Sequence, residues 1–200
     1  MKLRQFLLAC AMVLAVVAVP SLASAVVIVW DETIDGDLSN DRFAPTLITL
    51  GAGSNIINAT SGPGGGLGGE DDFFFFTLPA GSSLLAIVPL AYSSSTNTTF
   101  LGVNSGGVYD PLFNNEVLGF AFFGTGNIGL DILGSMGSSN GNFVPPLPGG
   151  TYAFWLDETG PAETFSLDFQ VEADAVPEPA TLFLLGSGLL GLASRRRRAS

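Results

Sequence analysis

Five aspartates in two short acidic runs are the residues of this chain best suited to chemistry. Asp35, Asp37 and Asp41 lie in the run Asp35-Gly36-Asp37-Leu38-Ser39-Asn40-Asp41, and Asp71 and Asp72 stand directly before Phe73-Phe74-Phe75-Phe76. Clustered carboxylates are hard oxygen donors, and the ion that suits them is calcium. Asp31-x-Thr33-x-Asp35-Gly36-Asp37 carries the alternating oxygens and the sixth-position glycine of a helix-flanked calcium loop, but its twelfth position is Arg42, where a bidentate carboxylate is required. That loop is therefore excluded. Two readings remain: a looser calcium site drawn from Asp35, Asp37, Asp41, Asp71 and Asp72, or solvated turn carboxylates, for which Asp and Asn are suited in their own right.

Catalytic patterns fail for lack of partners. Gly137-Ser138-Ser139-Asn140-Gly141 has the spacing of a nucleophile elbow, which needs a strand-to-helix turn and a base. The chain has no His, and the flanks read as loop. Gly64-Gly65-Gly66-Leu67-Gly68-Gly69 has dinucleotide-loop spacing, but Glu70-Asp71-Asp72 follows where a helix N-terminus should hold phosphate. Asp157-Glu158 offers paired carboxylates, yet neighbours on a strand point to opposite faces, and glycoside hydrolysis needs both on one site. No catalytic residue is assigned.

Charge is distributed unevenly. Of 18 acidic residues only Glu178 lies beyond Val176, while of 7 basic residues only Arg42 lies between Val26 and Val176. So acidic a surface repels nucleic acid and anionic membrane. The one Cys, Cys10, lies in the N-terminal apolar run, which leaves the remainder without thiol or disulfide chemistry.

The elements that must deliver and position these residues fall into three parts. Residues 1–25 have the form of a secretory signal: Lys2 and Arg4, an apolar run from Phe6 to Val19, the breaker Pro20, and Ala23-Ser24-Ala25 as the small-residue cleavage site. Residues 26–176 form an outer domain. Residues 177–200 form a tail in which Pro177-Glu178-Pro179 leads into an uncharged apolar stretch, about 179–194, and then Arg195-Arg196-Arg197-Arg198. As a helix that stretch is short for a bilayer, but arginine side chains extend a span by snorkelling. The Arg cluster should stay cytoplasmic, with the domain outside.

This tail resembles the PEP-CTERM sorting signal of Gram-negative bacteria. The resemblance implies processing by a membrane-embedded exosortase after delivery by the export machinery. It implies a transient inner-membrane anchor through the C-terminal helix, and a final place on the outer surface or in the extracellular matrix. Hosts of this system typically make exopolysaccharide and biofilm, so extracellular polysaccharide is the further partner implied.

Between the ends, short strands alternate with turn signals. Phe165, Leu167, Phe169 and Val171 should face a core while Thr164, Ser166, Asp168 and Gln170 face water; Tyr152, Phe154 and Leu156 alternate likewise after a turn at Pro148-Gly149-Gly150. Phe73 to Phe76 is apolar on both faces, as in a strand covered on both sides. Further strands are expected at Thr46–Leu50, Asn55–Ala59, Leu84–Tyr92, Thr99–Val103, Val117–Phe123 and Ile128–Leu133, with Trp155 in the core. The fold class is all-β, a β-sandwich flanked by an N-terminal signal helix and a C-terminal transmembrane helix, and its jelly-roll-like form is implied by a family resemblance within this domain.

The acidic opening Asp35 to Asp41, then Gly69-Glu70-Asp71-Asp72 running into Phe73 to Phe76, then Leu78-Pro79-Ala80-Gly81, and late Gly150-Thr151-Tyr152 with Phe165 to Val171, resemble the bacterial pre-peptidase C-terminal β-sandwich. In that family an Ala-Gly turn follows the middle strand. Its members assist secretion, adhesion or carbohydrate contact. Asn104-Ser105-Gly106-Gly107 stands where the family carries further acidic residues, which weakens an inherited cation site. The expected function is a non-enzymatic, exported surface or matrix protein. The alternatives are a carbohydrate-binding module for the host exopolysaccharide and, weaker, a secreted hydrolase.

Overall fold

The computed structural model describes residues 26–62, 71–93, 98–110, 117–137, 143–158 and 161–173. The expected signal peptide, residues 63–70 and the sorting tail with its expected transmembrane helix lie outside them. Among the described residues no helix is long and apolar enough to cross a membrane.

The domain is all-β. In chain order its strands are β1 (Val26–Asp31), β2 (Thr46–Leu47), β3 (Gly53–Ser61), β4 (Asp72–Tyr92), β5 (Thr99–Ser105), β6 (Gly119–Phe123), β7 (Leu147–Asp157) and β8 (Glu163–Ala173), with a single helical turn α1 (Glu32–Asp35) after β1. They form one continuous sheet in the order β1-β3-β8-β4-β7-β5-β6, with β2 paired to β4. The continuity comes from β4, which is 21 residues long. Its first part, Asp72 to Leu78, pairs antiparallel with β7, and Ser82 to Tyr92 pairs antiparallel with β8. One strand thus belongs to two layers, and the sheet folds over on itself like a sandwich.

The bend lies at Leu78-Pro79-Ala80-Gly81, where a family-type turn is expected. The chain bends there without ending the strand. The register with β7 shifts between Leu78 and Ser83, and Gly81 takes φ +83°. Pro79 is tolerated because a bulged corner leaves its missing N–H without a ladder partner to fail. The corner is accommodated from the other side by Gly149, where a Cβ would come within 2.5 Å of the Pro79 carbonyl oxygen. Pro148-Gly149-Gly150 accordingly starts β7 and does not make the expected turn.

Aromatic side chains fill the space between the layers. Phe169 of β8 meets Phe74, Phe76 and Phe154 edge-on at ring separations of 5.8, 5.9 and 5.6 Å. Phe123 lies edge-on to Phe165 at 5.6 Å and to Tyr92 at 5.7 Å. Such pairs add roughly 0.5–1.5 kcal/mol each beyond the area they bury. The inward alternation expected for β8 is present: Phe165, Leu167, Phe169 and Val171 are all buried. Asp168 is also buried, although it lies on the other face, because Ser54 Oγ donates to it at 2.6 Å and β3 and β4 flank it.

The strand expected over Val117–Phe123 begins at Gly119, and two further elements differ more. The strand expected over Ile128–Leu133 does not form. Asp131 instead caps a turn, its Oδ1 accepting from Leu133 N at 3.0 Å and Ile87 N at 3.1 Å and its Oδ2 from Gly134 N at 3.0 Å. Those bonds compete directly with a ladder, and the turn drives Ile132 and Leu133 into the core as a plug. The strand expected at Thr46–Leu50 shortens to Thr46–Leu47, because the backbone turns toward Asn55. The buried Asn55 amide donates to the Gly51, Gly53 and Phe169 carbonyls and accepts from Gly51 N.

Phe169 touches both parts of the folded sheet, so its loss should be felt throughout. Phe169→Ala is expected to cost about 3–5 kcal/mol, the range for emptying a buried Phe site, read by chemical denaturation. A loss near 1 kcal/mol or less, about what an ordinary substitution costs, would refute the packing described.

Candidate functional site

The acidic opening is organised by Asp31. It ends β1 and caps α1, with Oδ1 accepting from Thr33 N at 3.0 Å and from the Thr33 hydroxyl at 2.6 Å, while Asn58 Nδ2 donates to Oδ2 at 3.2 Å. These bonds, the Thr33 hydroxyl foremost, then Asn58, hold its carboxyl below the ordinary value. Gly36 at φ +93° ends the helical turn. Glu32 is thereby directed back across the fold, its Oε2 accepting from Thr60 N at 2.6 Å and its Oε1 from Leu38 N at 3.4 Å.

The result is a carboxylate cluster that the sequence only half announces. Glu32, Asp37 and Asp72 each bring one oxygen to within 4.8 Å of the others. Asp72 is fully buried at the head of β4, and Asp37 is exposed. Of the five aspartates expected to gather, Asp37 and Asp72 do. Asp35 accepts from Asp31 N at 2.9 Å, Asp41 from Phe43 N at 2.9 Å, and Asp71 from the Trp155 indole N–H at 3.0 Å. Asp35 and Asp41 thus close local turns, and Asp71 positions an aromatic ring. Glu32 escapes sequence reasoning because it reads as a helix-start residue, and only the return of α1 over β3 brings it to Asp72.

A cleft of about 390 Å³ lies beside this cluster, lined by Asp31, Glu32, Asn58, Tyr92, Thr164 and Ser166 among others. Its floor leads to a buried polar group. The Tyr92 hydroxyl lies 2.9 Å from Thr99 Oγ1 and donates to Glu158 at 3.2 Å. Burial foremost, opposed by the Thr99 bond and reinforced by Glu158 and Glu163, pushes the Tyr92 phenol up to about 12. Asp157 points the other way, into a separate cleft of about 300 Å³ with Thr98, Phe100, Phe122 and Trp155. The expectation that Asp157 and Glu158 take opposite faces therefore holds, and the two do not converge on one substrate.

Trp155 is not in the main core. With Phe73, Phe75, Tyr109 and Ala153 it forms a second apolar cluster on the outer face of the sheet. Of the nucleophile-like run only Gly137 is described, and it pairs with Phe120 as an isolated bridge. The run Gly64 to Gly69, the cleavage residues Ala23 and Ala25, and the tail residues Pro177, Glu178, Pro179 and Arg195 to Arg198 lie outside the described residues.

Geometry thus defines an all-β domain with acidic loops at one end and aromatic groups on both faces. The tail carries the sharper assignment. A family model of the PEP-CTERM protein-sorting motif matches residues 175–198, spanning the Pro-Glu-Pro triplet and the Arg cluster. The motif implies an exosortase-processed extracellular protein, exported through the envelope of a Gram-negative bacterium. No curated protein and no solved structure matches the chain.

The buried phenol sets a pH dependence. Its folded pKa lies above the unfolded value of about 10, so the stability it contributes is complete below pH ~10 and is lost as pH rises through its folded value. Burial raises the Tyr109 and Tyr152 phenols as well, so Tyr92→Phe should make the alkaline limb of melting temperature against pH shallower without removing it. An alkaline limb as steep as that of the parent would show that Tyr92 does not set it.

Proposed function

We propose that the protein is a non-enzymatic component of the cell surface or extracellular matrix, delivered by its PEP-CTERM tail and associated with exopolysaccharide or biofilm. The observation that carries this reading is the sorting motif at residues 175–198. The non-enzymatic part is supported by residue chemistry: the chain has no His, and its one Cys and its one Lys lie in the first ten residues. Most general-base and nucleophile schemes need one of these. The jelly-roll likeness to the pre-peptidase C-terminal domain belongs to the same reading. It is supported by the all-β sheet and by the Asp71-Asp72 entry into a phenylalanine strand.

The sorting part is tested by deleting Ala180 to Ser200. The truncated chain is expected in the periplasm or the medium, read by fractionation and immunoblotting. Retention on the envelope at the level of the full chain would overturn it.

A calcium ion at the Glu32, Asp37 and Asp72 cluster completes the reading. What supports it is the convergence of three carboxylates, one of them fully buried, where mutual repulsion favours a bound cation. The cation would join α1 to the head of β4. Calcium at a hundred times its Kd should stabilise the fold by about 2.7 kcal/mol, a gain absent with sodium at matched ionic strength and absent in Asp37→Asn. No calcium-specific rise in melting temperature would overturn the calcium site.

A further inference from the structure

The outer face of β5, β6 and β7 carries an aromatic group that the core does not account for. Strand pairing places Phe100 opposite Phe122 on one side and opposite Asp157 on the other, so Asp157, Phe100 and Phe122 form a row across three strands. The next row on that face is Trp155, Gly102 and Phe120. Gly102 leaves the gap over which the Phe100 ring leans: a Cβ there would come within 2.8 Å of Phe100 Cε1. Phe100 thereby meets Trp155 at 4.9 Å, Phe122 at 5.5 Å and Phe120 at 6.1 Å. Phe122 is 59% exposed.

These rings are held in place. Asp71 accepts from the Trp155 indole N–H at 3.0 Å, and the ring of the fully buried Phe73 stacks on Trp155 at 6.0 Å. Phe100, Phe122 and Trp155 wall the cleft of about 300 Å³, with the exposed Thr98 at its polar edge and Asp157, 8% exposed, at its base. Water-facing aromatics locked by their neighbours mark a contact surface, since a solvated strand face ordinarily carries polar residues.

The chemistry of the cleft selects its occupant. A sugar ring has an apolar C–H face, which packs on aromatic rings, and a rim of hydroxyls, which donate to a carboxylate and exchange bonds with a threonine hydroxyl. The surrounding charge decides which sugar: with Arg42 the only base between Val26 and Val176, a polyanion would be repelled. We infer that the Phe100, Phe122 and Trp155 face is a binding platform for an uncharged polysaccharide, with Asp157 and Thr98 contacting its hydroxyls. The inference rests on the proposed matrix association and gives it a site. Failure of the two is distinguishable, because sorting is read in cell fractions and binding on purified protein.

The test is affinity electrophoresis of the full chain in native gels containing cellulose ether, galactomannan, dextran or, as the polyanion, alginate. Retardation by at least one uncharged polymer and none by alginate is expected. Phe122→Ala, whose ring is mostly in solvent, should weaken that retardation roughly tenfold, as removal of an aromatic from the centre of a contact does, with the melting temperature unchanged. Asp157→Asn should weaken it less. No retardation by any uncharged polymer, equal retardation by alginate, or retention of full binding in Phe122→Ala would overturn the inference. So would a dimer in sedimentation that Phe122→Ala dissociates, since the face would then join two copies of this chain.

Discussion

Everything in this domain hangs on β4 pairing with β7 through its first part and with β8 through its second. A strand that serves two layers cannot slip in one without dragging the other, because a shift of one residue would turn every inward ring outward. Phe74 and Phe76 are set by pairing with β7, Ile87 and Tyr92 by pairing with β8, and the corner at Pro79 to Gly81 converts one alternation into the other. Phe169 then closes the fold from β8, against rings on β4 and β7. The acidic loops and the outer aromatics are positioned by this frame. Asp72 is the first residue of β4, and Trp155 pairs with Phe73 beside it.

The partner strand β8 shows how so acidic a domain folds. Its buried carboxylates are placed where donors converge. Asp168 accepts from Ser54 at 2.6 Å and Gln170 at 3.0 Å, and Glu163 from Ser93 at 2.7 Å. Hydrogen bonds to a charged acceptor are stronger than neutral ones, which offsets part of the desolvation that burial imposes. At Glu32, Asp37 and Asp72 three carboxylates meet, and of these Glu32 takes backbone N–H groups from Thr60 and Leu38.

Much of the frame was legible in local pattern. The alternation of β8 and the two-faced apolarity of Phe73 to Phe76 both follow from side chains pointing alternately up and down a strand, and both are present. The tail was legible because its signal is contiguous, a triplet, an apolar stretch and four arginines. What local pattern misses is whatever depends on register between distant segments. Pro79-Ala80-Gly81 has turn chemistry, yet its glycine serves a bulged corner. Ile128 to Leu133 has strand composition, yet Asp131 diverts three backbone N–H groups. Glu32 joins Asp37 and Asp72 only because a single helical turn folds back over β3.

Trp155 shows why the two faces of a sheet must be argued separately. It alternates correctly with Phe154 and Leu156, and that correct alternation is what excludes it from the main core. Its side of the sheet is half covered. Tyr109 lies over Gly102 and beside Phe73, with its ring 5.5 Å from Trp155 and its backbone N–H donating to the Arg42 carbonyl. Beyond that cover the rings continue through Phe100 to Phe122 into solvent. A side chain other than hydrogen at position 102 would collide with Tyr109 and Phe100 together, so one glycine permits both the covered end and the open end of this face. The open end is thus built on the same contacts that close the covered end. A preorganised apolar surface in water loses little entropy on binding a partner, which is what the proposed polysaccharide platform requires of these rings.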